Sequence, residues 1–322
     1  MDKKNSNQEP SRIKAFFTSG QYKAWLPLFG FVVIIVVLNI MTEGRILTEK
    51  KLKLLLSQIY YPTIVATGVF FIMTLGSIDF TEGSTLGVAS IVVSALSFYS
   101  IPLAILGGIL TGAAIGAING FFHVKFKLQS FIVTICTMYL FRGVCAFFTT
   151  ETAVPASKEI KALDIDGLKI GITLAVLIIA WFLFRFTRVG YDVKAVGAGE
   201  TAARFSGVRT DLVKFLAFVS AGALTGLAAF VNVVKVGSIT ATAGNQLETQ
   251  ILITLVLGGL PITGGAKVRF SNVIVGSLMY AVLNSGLSIL GYEPQVQQLI
   301  KGVVFLIFVA LTIDRKALKV IK

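Results

Sequence analysis

Charge is what this sequence has least of. Only 14% of its 322 residues are Asp, Glu, Lys or Arg, against about 25% in soluble domains. So little charge cannot cover a water-facing surface, which excludes an ordinary soluble domain. Histidine is nearly absent: His123 is the one copy, in the basic turn "HVKFKLQ", and is read as a solvated loop residue. A single imidazole argues against a metal site and against a serine–histidine nucleophile. Cysteine is limited to Cys136 and Cys145, nine residues apart in one apolar segment. At about 1.5 Å per helical residue they are too distant to bond each other, so both read as small core residues. The nearest text to a phosphate-binding loop, "GLPITGGAKV" at 259–268, puts Ala266 between the glycine and Lys267, and the G-x-x-x-x-G-K-[ST] pattern fails. No paired carboxylates share an obvious helix face. Together these absences argue against an enzyme, and no cofactor is implied.

What the chain has is apolar length. Hydrophobic residues make up 55% of it and the mean hydropathy is +0.83. Runs such as "WLPLFGFVVIIVVLNI" are nearly free of charge, and a bilayer core needs roughly 20 apolar residues per helix, fewer where neighbours shelter the ends. The expected fold is all-α: a polytopic transmembrane bundle of about ten spans, at 25–40, 59–75, 83–98, 101–121, 129–149, 168–186, 213–235, 248–260, 271–290 and 295–312. The segments 83–98 and 248–260 are short or open in glycine. They read as broken or partial helices, tolerated only when buried in protein. The basic start shows no small-residue cleavage pattern, so the run from Trp25 reads as an uncleaved first span.

The net charge of +13 follows from topology rather than nucleic-acid binding, because no basic domain stands apart from the helices. With both termini inside, the inner segments hold 17 Lys/Arg and the outer ones 6, as the positive-inside rule requires. This divides the chain into a cytoplasmic tail at 1–24, a membrane domain at 25–312 with a cytoplasmic loop at 187–212, and a cytoplasmic tail at 313–322. "TEGRILTEKKLKLLLSQ" is basic yet falls outside. It is either an amphipathic helix on the membrane surface or a sign that the first hairpin is drawn wrongly.

Gly108, Gly112, Gly116 and Gly120 recur every four residues. That stripe lets a second backbone approach closely, as a static seam or as a lining helix that moves. Two internal echoes appear: "LGSIDFTEG" at 75–83 with "LGGLPITGG" at 257–265, and "GGILTGAA" at 107–114 with "AGALTGLA" at 221–228. Duplicated halves are common in transporters, and low-complexity apolar text also produces such matches. The polar residues within spans are candidates for a translocation path or its gating: Asp79, Glu82 and Glu248 at span edges beside glycines, Arg142 mid-span, and Asn119, Asn232 and Asn284. Snorkelling or pairing with backbone carbonyls also accounts for Arg142, Lys235 and Lys301. Little fixed acid suits a neutral polar solute, with the energy supplied from elsewhere.

The longest polar stretch, Arg188–Lys214, lies on the inner side. In it "TAARFSG" at 201–207 has good helix formers and a glycine stop, preceded by Gly197 and Gly199 as a turn. It is either an ordinary solvated loop or a short surface helix that docks in a groove on a soluble partner.

Here the sequence resembles the permease subunits of ribose/galactose-type sugar ABC importers, over nearly the whole chain from about Tyr60 to Asp314. "GSIDFTEGS" is similar to the family's G-x-I-D-L-S-V-G-S, "SFIVTICTMYLFRG" to F-I-x-T-L-x-x-M-x-x-x-R-G, and "AVGAGETAARFSGV" to A-x-G-x-N-x-x-A-A-x-x-S-G-I. "KVGS", Glu248, "LGGLPITGG", "LNSG" and "QQLIKGVV" follow in family order. The resemblance implies a permease in a bacterial cytoplasmic (inner) membrane, paired with a second copy or close relative. It also implies a cytoplasmic ABC ATPase, an extracytoplasmic solute-binding protein and alternating access. On the same resemblance, Glu200, Thr201, Ala202, Ala203, Arg204 and Gly207 form the ATPase-coupling loop. Glu82 replaces a usual apolar residue, Phe80 a leucine, and Thr249 and Gln250 a common Leu-Asp. Surrounding lipid completes the partners; nucleic acid is not among them.

Overall fold

In the computed structural model, which describes residues 22–312, almost every apolar run is a helix. The order is α1 (Tyr22–Met41), a 3-10 turn (Arg45–Leu47), α2 (Glu49–Thr74), α3 (Glu82–Leu96), α4 (Ile101–Lys125) and α5 (Ser130–Thr149). Then come β1 (Val154–Pro155), α6 (Lys158–Ala162), α7 (Asp166–Phe186), α8 (Arg188–Ala198), α9 (Glu200–Phe205) and α10 (Thr210–Val236). β2 (Ser238–Ile239), α11 (Leu247–Leu257), α12 (Ser271–Ile289) and α13 (Pro294–Thr312) complete it. Six of these helices (α2, α4, α5, α7, α10 and α12) are long and apolar enough to cross a membrane, and α1, α3, α11 and α13 are shorter apolar helices. The fold is the expected all-α polytopic bundle. The tails read at 1–24 and 313–322 lie outside the described residues, apart from the helical backbone of 22–24.

Three sequence readings change. His123, read as a solvated loop residue, lies in the last turn of α4 and is half-buried against Phe218. From Glu49 on, the basic stretch after the first span is not a separate helix. It forms the opening turns of α2, a 26-residue helix. Glu49 starts it and pairs with Lys53 one turn on at 2.7 Å, and no breaker intervenes before the apolar run. The two cysteines also differ: Cys145 is buried, whereas Cys136 lies on an exposed face of α5.

At the centre α10 runs antiparallel against α4. A Cβ at Gly112 would strike the carbonyl of Gly222, and one at Gly222 the carbonyl of Gly112; Gly108 and Gly226 are related in the same reciprocal way. The stripe is thus a seam where two backbones touch, as small residues allow in lipid. The echo "GGILTGAA"/"AGALTGLA" is the two sides of this seam. Around it, α2 is buried from Tyr60 to Thr74 except for Tyr61. Phe70 links it to Phe184 of α7 and to Phe270, with ring centroids 4.7 and 5.4 Å apart.

The connecting segments gather at two opposite ends. At one, β1 pairs antiparallel with β2, Val154 opposite Ile239; Ser97 accepts from the Ser157 amide at 2.8 Å and Lys235 donates to the Ser57 carbonyl at 2.9 Å. At the other, the Gly265 amide donates to the last carbonyl of α2, Thr74, at 3.1 Å, and Glu200 meets Lys214 at 2.5 Å.

The seam makes a sharp prediction. Gly112→Val forces one backbone off another and lowers thermal stability in detergent by about 2–3 kcal/mol. Gly143→Ala, at a position where an added Cβ meets nothing within 4 Å, leaves the melting temperature unchanged or slightly raised.

Candidate functional site

α3 and α11 both begin inside the bundle. Glu82, the first residue of α3, receives a hydrogen bond from Thr225, which lies past the middle of α10. Glu248, the second residue of α11, faces Arg142 at 3.5 Å, midway along α5. The acidic residues read as span-edge groups are therefore at mid-bundle, because their helices start there. Each half-helix is preceded by non-helical backbone, 75–81 and 237–246 (the latter including β2), entering from opposite ends. A Cβ at Gly83 would meet the Gly244 carbonyl, and one at Gly244 the Gly83 carbonyl, so the two helix N-termini meet.

This arrangement has two physical costs, and the polar residues offset both. Aligned peptide dipoles place roughly half a positive charge at each helix N-terminus. Two such ends face each other here, and the side-chain oxygens of Asp79, Glu82 and Glu248 lie beside them as acceptors. The irregular backbone must also find hydrogen-bond partners within the protein, since lipid offers none. The Ile78 amide donates to the Ser130 hydroxyl at 3.1 Å. Asp79, 3% exposed, accepts from the amide and hydroxyl of Thr81 at 2.8 and 2.5 Å. Asn119 donates to the Thr81 hydroxyl at 2.8 Å and accepts from Thr137 at 2.7 Å. One relay therefore ties the first re-entrant segment to α4 and α5. Arg142 does the same for the second, donating to the carbonyls of Ala243 and Gly244 at 3.1 and 3.5 Å.

Five sequence candidates thus converge: Asp79, Glu82, Asn119, Arg142 and Glu248. Asn232 sits apart on the α10–α3 contact, 3.5 Å from the Ser90 hydroxyl. Asn284 is elsewhere again, donating to Gln58 at 3.2 Å and accepting from Lys301 at 2.5 Å. Among the described residues no three His, Cys, Asp or Glu side chains are grouped to hold a metal.

The second cluster is the polar stretch, which folds as α8 and α9. α7 ends at Thr187, whose extended backbone (φ −113°, ψ 165°) turns the chain into α8. Gly190 presses on the Phe184 carbonyl, and Gly197 packs against both the Thr74 carbonyl and the Gly265 amide that donates to it. Val193 and Val196 are buried on the same face, and Lys194 caps the Phe184 ring at 4.1 Å. The seat of α8 is therefore the end of α2 and the glycine turn at 264–265. These are the roots of 75–81 and of α11. α9 crosses beneath, pinned by Glu200 to Lys214, and by Arg204 to Thr210 and Asp211 at 3.1 and 3.2 Å. Gly207 adopts φ +86°, which a side chain resists.

Ala203, read as a partner contact, is buried against the bundle, whereas Thr201, Ala202 and Phe205 face outward. Phe205, 89% exposed, is the feature that motif reading missed. A lone aromatic in an otherwise polar, charged helix was the available signal.

Arg142 and Glu248 are largely buried, and removing one strands the other. Arg142→Gln should cost on the order of 3 kcal/mol, and adding Glu248→Gln should recover part of the loss, measurable as a double-mutant cycle on thermal unfolding. At α9, the hydrogen bond from Lys214 holds the Glu200 carboxyl below its ordinary value of 4.5; the neighbouring positive charges add to this, and burial opposes it. A depressed carboxylate stabilises above its unfolded pKa and loses that contribution as pH falls through the folded value. The stability gap between the native protein and Glu200→Gln is therefore full above pH 4.5 and vanishes on further acidification.

Residues 52–309 match the family model described as branched-chain amino acid transport system / permease component. The ribose import permease protein of Escherichia coli K12 is 30% identical over 310 residues, covering 91% of this chain and 95% of that protein. The D-allose transport system permease protein of the same strain is 27% identical over 95% of this chain and 96% of its own length. The L-arabinose ABC transporter permease protein of Azospirillum brasilense is 29% identical over 87% and 84%. No solved structure matches. The chain belongs to the family of branched-chain amino acid transport system permease components, and is a multi-pass membrane transport subunit rather than an enzyme.

Proposed function

We propose that this chain is the membrane-spanning permease of an ATP-driven importer for a monosaccharide or similar polyhydroxylated solute. Its relatives named for ribose, allose and arabinose support the solute class. On this reading the membrane is a bacterial inner membrane, and the Lys/Arg distribution supports α8 and α9 on its cytoplasmic side. There a separate ABC ATPase docks on the outward edge of α9, with Phe205 as its apolar anchor. Large aromatics carry much of the energy of such contacts. A second permease copy and an external solute-binding protein complete the assembly.

One observation carries the coupling: α8 is wedged by Gly197 against both the Thr74 carbonyl and the Gly265 turn. A closely packed contact of this kind transmits displacement rather than absorbing it. When nucleotide binding draws the two ATPases together, a push on α9 passes through α8 to the roots of both half-helices. The path then changes the side it faces. ATP does work here because it binds the two assembly states unequally; the permease itself makes and breaks no covalent bond.

In proteoliposomes containing the ATPase and the binding protein, uptake of labelled D-ribose, D-allose or L-arabinose should require ATP. Phe205→Ala should weaken ATPase association by about tenfold or more. Gly207→Val, strained at its positive φ, should reduce coupled uptake while helical content stays unchanged. Uptake by the permease alone under an ion gradient would instead mark a self-contained carrier.

A further inference from the structure

A narrow cleft lies between α2, α11 and α12. Its wall includes Gln58 and Thr63 of α2, Gln250 of α11, and Ser277, Tyr280 and Asn284 of α12. Helical spacing aligns them: Gln250 and Thr254 are one turn apart, as are Ser277 and Ala281. Most polar groups of the central junction have protein hydrogen-bond partners, Glu248 Oε2 excepted; in this cleft it is hydroxyls that lack them. The hydroxyls of Thr63 and Ser277 are 3% and 5% exposed as residues and neither has a hydrogen-bond partner. Ser285, also 5% exposed and without a partner, lines an adjoining cleft that shares Gln58. Pro62, inside α2, has no N–H to give the Gln58 carbonyl one turn back, so the backbone adds an acceptor. Buried hydroxyls are normally paired; two unpaired ones in one cleft, with a third in the next, call for an occupant that both donates and accepts.

The neighbouring groups narrow the chemistry. Gln58, Gln250, Tyr280 and Asn284 are neutral, and the adjacent cation, Lys301, is engaged by Asn284 at 2.5 Å. The lining therefore suits hydroxyl groups better than a carboxylate or a cation. The free volume, about 20 Å³, admits one water or one hydroxyl-bearing arm and not a sugar ring. These polar groups stand among the apolar side chains of Ile59, Pro62 and Ala281, which complete the wall.

We infer that this cleft is a hydroxyl-reading subsite for the transported solute. One hydroxyl or hydroxymethyl arm enters between Thr63 and Ser277 while the ring stays in the wider path outside. This rests on the importer reading above and adds to it the groups that select the cargo within the membrane. A site built to hydrogen-bond a hydroxyl rejects the analogue lacking it, because its own polar groups are then left unpaired.

The test compares D-ribose with 5-deoxy-D-ribose, and D-allose with 6-deoxy-D-allose, in the ATPase- and receptor-containing proteoliposomes. Ser277→Ala and Thr63→Val should each reduce the preference for a parent sugar by about tenfold, while Thr63→Ser, which keeps the hydroxyl, retains it. A second arm needs no transport: with Cys136 and Cys145 replaced by alanine, alkylation of the Ser277→Cys thiol should slow in the parent sugar and not in its deoxy counterpart. ATP-driven uptake with unchanged preference, or equal protection by both members of a pair as a water-filled cleft would give, overturns the subsite and leaves the importer intact. Selective protection without ATP-driven uptake supports the subsite and overturns the importer. Neither uptake nor protection overturns both.

Discussion

Irregular backbone within a bilayer must be hydrogen-bonded by the protein, because the solvent there offers nothing. This constraint organises the chain. Both half-helices, α3 and α11, begin where non-helical segments have already entered the bundle. Each segment takes partners from long helices: Ser130, Asn119 and, through Asn119, Thr137 for the first, and Arg142 for the second. The carboxylates of Asp79, Glu82 and Glu248 belong to the same constraint, since two positive helix ends meet in a low-dielectric interior. An intramembrane charge invites a reading as a proton or ion carrier. Here most of that charge is used to hold broken helices in place.

The glycines act on a second constraint, distance. In the α4–α10 seam they let two backbones touch and give the bundle a stiff centre. At Gly197 and the 264–265 turn they let α8 rest directly on the end of α2. The stiff seam resists deformation, while the half-helices are held by side-chain hydrogen bonds that can exchange partners. On the importer reading, displacement from the α8 side would be expressed in the re-entrant segments rather than in the seam, and this division between rigid and exchangeable contacts would let a passive subunit act as a gate.

Much of this was legible in the sequence, for identifiable reasons. Apolar runs of bilayer length predict helices without any tertiary information. Glycine before Thr85 and the short run after Gln246 predict that α3 and α11 are partial. The echo at 107–114 and 221–228 anticipates two surfaces of one kind, and the structure places them against each other. The helix that carries the second span begins ten residues before the apolar run at 59–75, because helix propensity carries α2 back through Lys53 to Glu49. The partnership of Arg142 with Ala243 and Gly244 was hidden because it joins residues about a hundred positions apart through backbone atoms, which have no sequence signature. Thr63 and Ser277 look in the sequence like ordinary hydroxyls tolerated in apolar helices. Only their lack of partners in the folded chain distinguishes them.

The account turns on whether the re-entrant segments move with α8. Hydrogen–deuterium exchange of the intact assembly, compared between nucleotide-free and ATP-trapped states, measures this directly. Exchange at 75–82 and 237–246 should change together with that at 188–207, while the α4–α10 seam stays protected in both states. A change confined to 188–207, with both re-entrant segments unaltered, would contradict the mechanism.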